Sequence, residues 1–448
     1  MNMGKLFGTD GIRGVANEKL DSILAYKLGQ ACAFKLTDSA HHARILIGRD
    51  TRISGDMLES ALVAGICSAG ATAEVLGVVP TPAVAYLTRL YGADAGIVIS
   101  ASHNTVEYNG LKVFNGQGYK LADEIEAEIE EMILSGNVPE LPSGINLGRK
   151  VEHTSATEDY AAYLCSNAEA TLEGLHIVLD GANGAAYSIA PQVFSALGAK
   201  VDCIGNTPDG TNINDGCGST HPEKLQQAVK ELGADIGLAF DGDADRLIAV
   251  DEQGRIVDGD RVMAVCALDM KAHGKLSKDT VVGTVMSNLG LQLYLESHGI
   301  QLIKTAVGDR YVLEELLASG YNFGGEQSGH VIILDKNTTG DAMLTALQLL
   351  GVVVRSGKTL GTLAYDVEIL PQVLVNAKVS EQKKYAYAED AEIQQAIAEV
   401  EQAMAGKGRV LIRPSGTEPL VRVMIEGENI DFIRAQAEKV AALIEKKL

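Results

Sequence analysis

The sequence predicts an α/β protein: three similar α/β domains with mostly parallel, mixed sheets plus a smaller C-terminal α+β domain, four walls around one central cleft. Three observations predict it. The chain has 448 residues, room for about three domains at ~150 residues each. A long-period internal repeat spells strand, helix, strand, helix, strand three times, an order that demands parallel pairing with helical crossovers. Beyond about Val367 the repeat stops and a different pattern begins.

Each copy opens with an apolar strand running into a turn, at residues 45–50, 177–184 and 281–288. A helical stretch follows each. A Gly just past that helix then starts a second strand, at 70–77, 198–205 and 299–305. After a further helix the third strands begin near Gly92, Gly233 and Gly320. Ligands in such sheets bind beyond the carboxyl ends of the strands. The three copies deliver different polar chemistry there: Ser100-Ala-Ser-His-Asn104, Asp241-Gly-Asp-Ala-Asp245 and Gly325-Glu-Gln-Ser-Gly-His330. The last stretch reads as a strand at 373–379, an amphipathic helix at 391–404, a hairpin around 413–418 and a closing helix from Ile430. The domains expected are 1–154, 155–256, 257–366 and 367–448.

Composition narrows the function. Lys and Arg total 38 against 59 for Asp and Glu, a formal charge of −21. Nucleic acid and anionic membrane surfaces repel such a chain unless a basic patch is set aside. No apolar run approaches the roughly 20 residues of a membrane span. The first residues lack the apolar core of a signal peptide, so a cytoplasmic protein is expected. The six cysteines form no Cys-x-x-Cys pair and read as free thiols in a reducing compartment.

Asp241, Asp243 and Asp245 alternate along the chain. In a flat strand the outer two would lie about 13 Å apart, too far to share one ion. The chain must therefore curl there, which the small Gly242 and Ala244 allow. An all-oxygen carboxylate set favours magnesium, with manganese as the second choice. A calcium EF-hand is excluded because its loop Gly is Arg246 here and residues 247–250 read as strand. Ser102 follows an apolar strand in a small-residue turn, with His103 beside it and Lys112 ten residues on; a Ser so placed is a candidate nucleophile or phosphate carrier. Gly-x-Ser-x-Gly is absent around it, so a hydrolase elbow is not indicated. Arg413, Ser415, Gly416, Thr417 and Arg422 offer arginines, hydroxyls and a backbone N–H on a tight loop, which suits a phosphate. Glu326, Ser328 and His330 sit between glycines and suit sugar hydroxyls; with no Trp in the chain, hydrogen bonds must replace ring stacking. Residues 351–359 imitate a P-loop but have one residue too many and follow a helical run. The acidic run at 122–131 is a solvated helix face with Ile125 and Ile129 turned inward.

Taken together and in this order, Ala-Ser-His-Asn104 with Asn109-Gly-Leu-Lys112, Asp-Gly-Asp-Ala-Asp-Arg246, Gly-Glu-Gln-Ser-Gly-His330 and Arg413-Pro-Ser-Gly-Thr-Glu418 make the chain resemble the α-D-phosphohexomutase superfamily over essentially its full length. Within it, residues 7–14 (Phe-Gly-Thr-Asp-Gly-Ile-Arg-Gly) and Gln327 resemble the members that act on glucosamine phosphate. Relatives acting on mannose or glucose phosphates more often have Met at that second position. Thr105 departs from the superfamily, which usually has Pro there. The resemblance implies a phosphoryl group on Ser102, one oxygen of which completes a magnesium site with the three aspartates. It implies interconversion of glucosamine 6-phosphate and glucosamine 1-phosphate, with glucosamine 1,6-bisphosphate as intermediate and activator. It implies that Arg413, Ser415, Gly416, Thr417 and Arg422 clamp the phosphate that is not reacting, and that Glu326 and Ser328 hold sugar hydroxyls. Lys112 and His103 are the candidates for moving the hydroxyl proton. Arg13, Arg246 and His330 are helpers, and Asp309 with Arg310 recognises the sugar. The expected partner is a small phosphosugar and not nucleic acid or membrane; a homodimer is a superfamily-level expectation. The competing readings are a phosphomannomutase or phosphoglucomutase, a magnesium-dependent sugar phosphatase, and a non-catalytic sugar-phosphate sensor. An anionic substrate requires positive charge to be gathered locally, at Arg13, Lys112, Arg246, Arg310, Arg413, Arg422 and the metal ion, inside an otherwise acidic protein.

Overall fold

The computed structural model describes residues 6–8, 10–36, 43–404, 406–415 and 419–448. Among them the first-copy sheet has six strands, in the order Ile12–Val15, Tyr108–Asn115, Ala95–Ile99, Arg44–Arg49, Thr72–Val78, Lys150–Glu152. The three repeat strands pair in parallel, as do the last two in that order. Tyr108–Asn115 runs antiparallel to both its neighbours. The second and third sheets repeat the plan. His176–Asp180 lies between Lys200–Ile204 and Ile236–Phe240, and Leu247–Val250 returns antiparallel beside the latter. Thr280–Thr284 lies between Gln301–Thr305 and Phe323–Gly325, and Val331–Ile333 returns antiparallel.

The return strand decides where the chemistry sits. Each polar motif is the turn that reverses the chain between the third repeat strand and its return partner. These turns are tight enough that each contains a residue at positive φ: Ser102 at 53°, Ala244 at 54° and Gly329 at 91°. For the two residues carrying a Cβ this is a strained conformation, of the kind that persists only where surrounding contacts enforce it.

The helices between strands have the ends their sequence calls for. Asp21 caps Ser22–Lys35, Asp258 caps Gly259–Ala272 and Asp341 caps Ala342–Ser356, each side chain accepting a first-turn N–H. Gly136, Gly233, Gly320 and Gly357 close helices in the left-handed conformation. Helix Ala342–Ser356 is buried along most of its length, and the P-loop imitation at 351–359 is its last turns, the Gly357 cap and the two residues after it. In Asp123–Ser135, Ile129 is buried and Ile125 packs against the core, but the run is not a wholly solvated face: Glu130 is buried and accepts from the Leu6 and Phe7 N–H groups.

The described chain forms two compact units. One holds residues 1–286 and 299–366; the other holds 287–298 and 367–448. The second unit contains the three-stranded antiparallel sheet Gln372–Lys378, Leu420–Gly427, Gly408–Pro414, with helices Ala391–Met404 and Ile430–Lys447. Its core is formed by Val373, Val423, Ile425, Ile433, Val440 and their neighbours. Segment 287–298 is tied to it by a buried polar knot. Asn288 accepts from the Leu370 N–H and donates to its carbonyl, while Glu426 accepts from the Leu289 N–H and from Arg409. No helix among the described residues is long and apolar enough to cross a membrane.

Candidate active site

The first unit gathers Ser102, the three aspartates, Lys112 and His330 into one buried cluster. Gly242 makes the approach possible. A Cβ there would stand 2.6 Å from the Ser102 carbonyl oxygen, so only Gly lets the aspartate turn lie against the serine turn. Ser102 Oγ then donates to Asp241 Oδ2 at 2.6 Å. Candidate ligand oxygens of Asp241, Asp243 and Asp245 all lie within 4.8 Å of one another. The curl demanded by their spacing is supplied by Ala244 in its left-handed conformation.

The residues fit a hard divalent cation. Oδ1 of Asp243 and Oδ1 of Asp245 are buried with no hydrogen-bond partner, which is costly unless something else satisfies them. Burial, with Asp245 and Asp243 alongside, pushes the Asp241 carboxyl well above its usual range. Asp245 moves the other way: burial opposes its ionisation, but Lys112 and His330 hold its pKa far down. Oxygen ligands in a compact buried set are what magnesium takes.

Lys112 projects from the return strand, where it lies opposite Val98. Its ammonium is 2.8 Å from Asp243 Oδ2 and 3.5 Å from Asp245 Oδ2. Burial lowers its pKa, but Asp10, Asp243 and Asp245 outweigh that and keep it protonated. His103 is the opposite case. Burial and then Arg246 and Arg13 lower its pKa to about 4, so at neutral pH its Nδ1, 3.3 Å from Ser102 Oγ, carries a lone pair or a neutral N–H. His330 is buried against Asp245 and Asp309. Burial lowers its pKa, the carboxylates outweigh that, and it stands at about 8. The Gly340 N–H at 3.2 Å favours a lone pair on Nε2, while Asp309 at 3.5 Å favours a proton there. The shorter contact belongs to the amide, and the imidazole is held near its titration point.

Of the remaining candidates in this unit, Arg13 pairs with Asp10 on the first strand's approach. Arg246 donates its backbone N–H to Asp241 Oδ1 at 3.2 Å and bridges to His330 across the two turns. Glu326 Oε1 accepts from the Gly308 N–H at 3.1 Å, beside Asp309, and Ser328 is exposed at the turn's tip. Arg310 is not gathered with the others: it is held by Asp123, Glu126 and Glu314 in a groove between the 119–124 loop and helix Asp309–Ser319.

In the second unit, Arg413 lies directly opposite Arg422 across the hairpin. Like charges so placed destabilise a sheet. Burial and Arg422 both lower the Arg413 pKa, a penalty that an anion between them would remove. Ser415 is buried beside them, its carbonyl accepting from Lys384 at 3.1 Å. Gly416 and Thr417 lie outside the described residues.

Several residues that sequence reasoning did not single out hold Ser102 in place. The fully buried Arg52 donates to Asp50 Oδ2 at 2.9 Å, to the Ser102 carbonyl at 3.0 Å, to the Asn104 carbonyl at 2.7 Å and to Thr105 O. Asn214 donates to the same Ser102 and Asn104 carbonyls, each at 2.9 Å. Asp50 accepts from Ser100, whose oxygen accepts the Ser102 N–H. Thr81 donates to Asp243 Oδ2 at 2.6 Å. The repeat carried a signal for Asp50: Asp50 and Asn288 end the first stretch of their copies, and Asp180 lies within the first stretch of its own. Each accepts the N–H two residues on, from Arg52, Ala182 and Gly290.

Comparison with known proteins agrees with the fold. Four family models for phosphoglucomutase/phosphomannomutase match in order: alpha/beta/alpha domain I at residues 4–138, domain II at 158–254, domain III at 258–368, and the C-terminal domain at 374–443. The phosphoglucosamine mutase of Caldanaerobacter subterraneus is 56% identical over 446 residues, covering 100% of both chains. That of Clostridium acetobutylicum is 58% identical over 447 residues, covering 99% of this chain and 100% of its own. Among solved structures, a phosphoglucomutase/phosphomannomutase family protein from Burkholderia thailandensis aligns with a TM-score of 0.81 at 26% identity, covering 97% of each chain. The N-acetylphosphoglucosamine mutase of Aspergillus fumigatus, solved with GlcNAc-6P and magnesium, has the same fold, with a TM-score of 0.68 at 17% identity over 98% of this chain and 95% of its own.

Proposed function

The chain belongs to the phosphoglucomutase/phosphomannomutase family, and from that premise we propose that it interconverts glucosamine 6-phosphate and glucosamine 1-phosphate through a phosphoserine at Ser102. The observation that carries the proposal is the 2.6 Å contact between Ser102 Oγ and Asp241 within a buried carboxylate triad that wants a cation. The amino sugar is favoured by the phosphoglucosamine mutases that are 56–58% identical over the full length.

In the forward direction the Ser102 Oγ–P bond breaks as a bond forms between phosphorus and the sugar's O1. The O1 proton passes to a neighbouring base, for which His103, neutral and 3.3 Å from Oγ, is suited, and the departing Ser102 oxygen takes up a proton. The glucosamine 1,6-bisphosphate then turns over within the site. Its O6–P bond breaks as the phosphoryl group returns to Ser102, whose hydroxyl gives up its proton while O6 takes one up. Lys112, permanently charged beside the triad, offsets charge building on the transferring oxygens. Asp241, Asp243 and Asp245 would hold magnesium, which supplies Lewis-acid stabilisation of that same charge. Arg413, Arg422 and Ser415, with Gly416 and Thr417, would bind the phosphate not reacting. Glu326, Ser328, His330, Arg13, Arg246 and Asp309 complete the proposed contacts, while Arg310, tied to Asp123, Glu126 and Glu314, is left out of them. A cytoplasmic setting and a homodimer belong to the same proposal; light scattering on the purified protein checks the second.

Initial rates on glucosamine 6-phosphate, glucose 6-phosphate and mannose 6-phosphate test the substrate. A clear preference for either of the last two refutes the amino-sugar assignment. Ser102→Ala tests the carrier: turnover should vanish while binding of sugar phosphate persists. Near-normal turnover in that variant would rule out a phosphoserine route. Adding the 1,6-bisphosphate separates a mutase, which it activates, from a phosphatase, which merely consumes it.

A further inference from the structure

The ion pairs around the aspartate turn continue beyond it. Lys112 Nζ, already 3.5 Å from Asp245 Oδ2, is also 3.2 Å from Asp10 Oδ2. The other oxygen of Asp10 accepts from Lys120 Nζ at 2.6 Å, and the same ammonium bonds Asp309 Oδ2 at 2.6 Å. Asp309 Oδ2 lies 3.5 Å from His330 Nε2, and His330 Nδ1 lies 3.6 Å from Asp245 Oδ1. That closes a ring in which acid and base alternate throughout. Its members come from all three repeat copies: Asp10, Lys112 and Lys120 from the first, Asp245 from the second, Asp309 and His330 from the third. Asp10 and Lys120 are the two that the sequence had not put forward as site residues.

The two shortest links of the ring are both made by Lys120, which is only 15% exposed. It holds two carboxylates to one ammonium, so Asp10 and Asp309 oxygens stand at most about 5 Å apart. Asp10 in turn is one of the groups that keeps Lys112 beside the triad. Asp309 opens helix Asp309–Ser319 next to Gly308, whose N–H is held by Glu326 of the recognition turn. Without a cation at Lys120, two largely buried carboxylates would face each other with only Arg13 and Lys112 on one side and His330 on the other left to offset them. Their repulsion would pull the recognition turn of the third copy away from the serine turn of the first.

We propose that Lys120 is a positioning residue for phosphoryl transfer, acting through Asp10 on Lys112 and through Asp309 on the recognition turn. The inference rests on Ser102 being the phosphoryl carrier. Lys120 itself touches neither the serine nor the triad. Its loss therefore acts on the rate of transfer through geometry and charge balance, and leaves the clamp arginines alone.

The test is a charge-balance cycle on the full-length protein: wild type, Lys120→Met, Asp309→Asn and the double variant. Steady-state kcat and KM are measured on glucosamine 6-phosphate. Phosphorylation of Ser102 by glucosamine 1,6-bisphosphate is followed separately by intact mass. Lys120→Met should lower kcat and the phosphorylation rate at least thirtyfold, with KM changed less than threefold. Adding Asp309→Asn to it should recover at least threefold, because one of the opposed charges is gone. A packing role predicts the reverse, with the double variant losing the product of the single losses. That result, or a Lys120→Met kcat within twofold of wild type, overturns the proposal. If Lys120→Met does not fold, a cooperative thermal transition regained in the double variant supports the charge ring, and failure to regain it refutes the ring. Wild-type protein that neither turns over nor acquires a phosphoserine would instead refute the carrier reading on which the inference stands.

Discussion

Replacing Arg52 by Met removes the main brace under the serine turn, and the contacts allow its cost to be worked out. Four acceptors lose a donor: Asp50 Oδ2 and the carbonyls of Ser102, Asn104 and Thr105. Breaking a buried ion pair by removing one partner costs about 3–5 kcal/mol. An abandoned buried carbonyl costs about 1–3 kcal/mol. Asn214 still serves the Ser102 and Asn104 carbonyls, so the penalties do not add, and the net loss should stay about 3–5 kcal/mol. At a few degrees per kcal/mol, the thermal transition of this unit should fall by roughly 10 °C. The loss should shrink toward acid pH. Burial already raises the Asp50 pKa against the pull of Arg52. Once the guanidinium is gone the carboxyl can escape its penalty by taking a proton. Asn214→Ala, which leaves every one of those carbonyls an arginine donor, should cost about 1–2 kcal/mol. Scanning calorimetry at pH 5 and pH 8, with the rate of Ser102 phosphorylation, reads all of this. An Arg52→Met protein within about 1 kcal/mol of wild type and phosphorylated at the parental rate would refute the idea that the positive φ of Ser102 is enforced by its carbonyl contacts.

Chelation of divalent ions should stop turnover, and magnesium should restore it; magnesium should also raise the melting temperature of wild type but not of Asp243→Asn, and an equal rise in both would place the ion elsewhere. Gly340→Ala puts a Cβ 2.4–2.6 Å from His330 ring atoms. It should cut kcat at least tenfold by displacing the imidazole, and an unchanged rate would show that His330 is a bystander. Glu126 is held at a pKa of about 7, chiefly by burial, with Arg310 pulling against the shift. Between its ordinary value near 4.5 and about 7 the unfolded chain gives up a proton that the folded chain keeps, so this group makes stability fall as pH rises through that window. Glu126→Gln should therefore raise the melting temperature more at pH 8 than at pH 5, and the opposite ordering would contradict the assigned shift.

The repeat made the fold legible because hydrophobic alternation and Gly stops are local signals, and three copies reinforce one another. The closing domain was legible for a similar reason: the strand at Gln372–Lys378, the helix at Ala391–Met404 and the hairpin ending in Leu420–Gly427 each carry their own period. The return strands were harder to see. Tyr108–Asn115 is apolar and polar by turns, and only its antiparallel pairing with Ala95–Ile99 turns Ser100–Asn104 from a loop into a reversal. The chemistry-bearing residues were visible where several sit in one short motif. Those that support them were not. Arg52, Asn214 and Thr81 act on Ser102 and Asp243 across sequence separations of 50, 112 and 162 residues. No local pattern encodes such a contact, and a buried arginine reads in sequence like any other.

The net charge of −21 had suggested a positive cleft set into an acidic protein. The first unit qualifies that expectation. Asp10, Asp241, Asp243, Asp245, Asp309 and Glu326 match or outnumber the cations named among them, Arg13, Lys112, Lys120 and Arg246, even with His330 protonated. A site of that balance attracts no dianionic sugar phosphate by itself. In the proposed function, positive charge comes instead from a divalent ion on the triad and from Arg413 and Arg422 of the second unit. Affinity for the phosphosugar should accordingly depend on both, and steeply. Removing magnesium or replacing Arg422 by Gln should each weaken binding of glucosamine 6-phosphate at least tenfold in calorimetric titration, because each cancels charge that the aspartate-rich unit does not supply. Binding unaffected by either change would mean that the carboxylates around Lys112 and Lys120 are already neutralised by protons, and that the alternation of acids and bases in the ring has no electrostatic role.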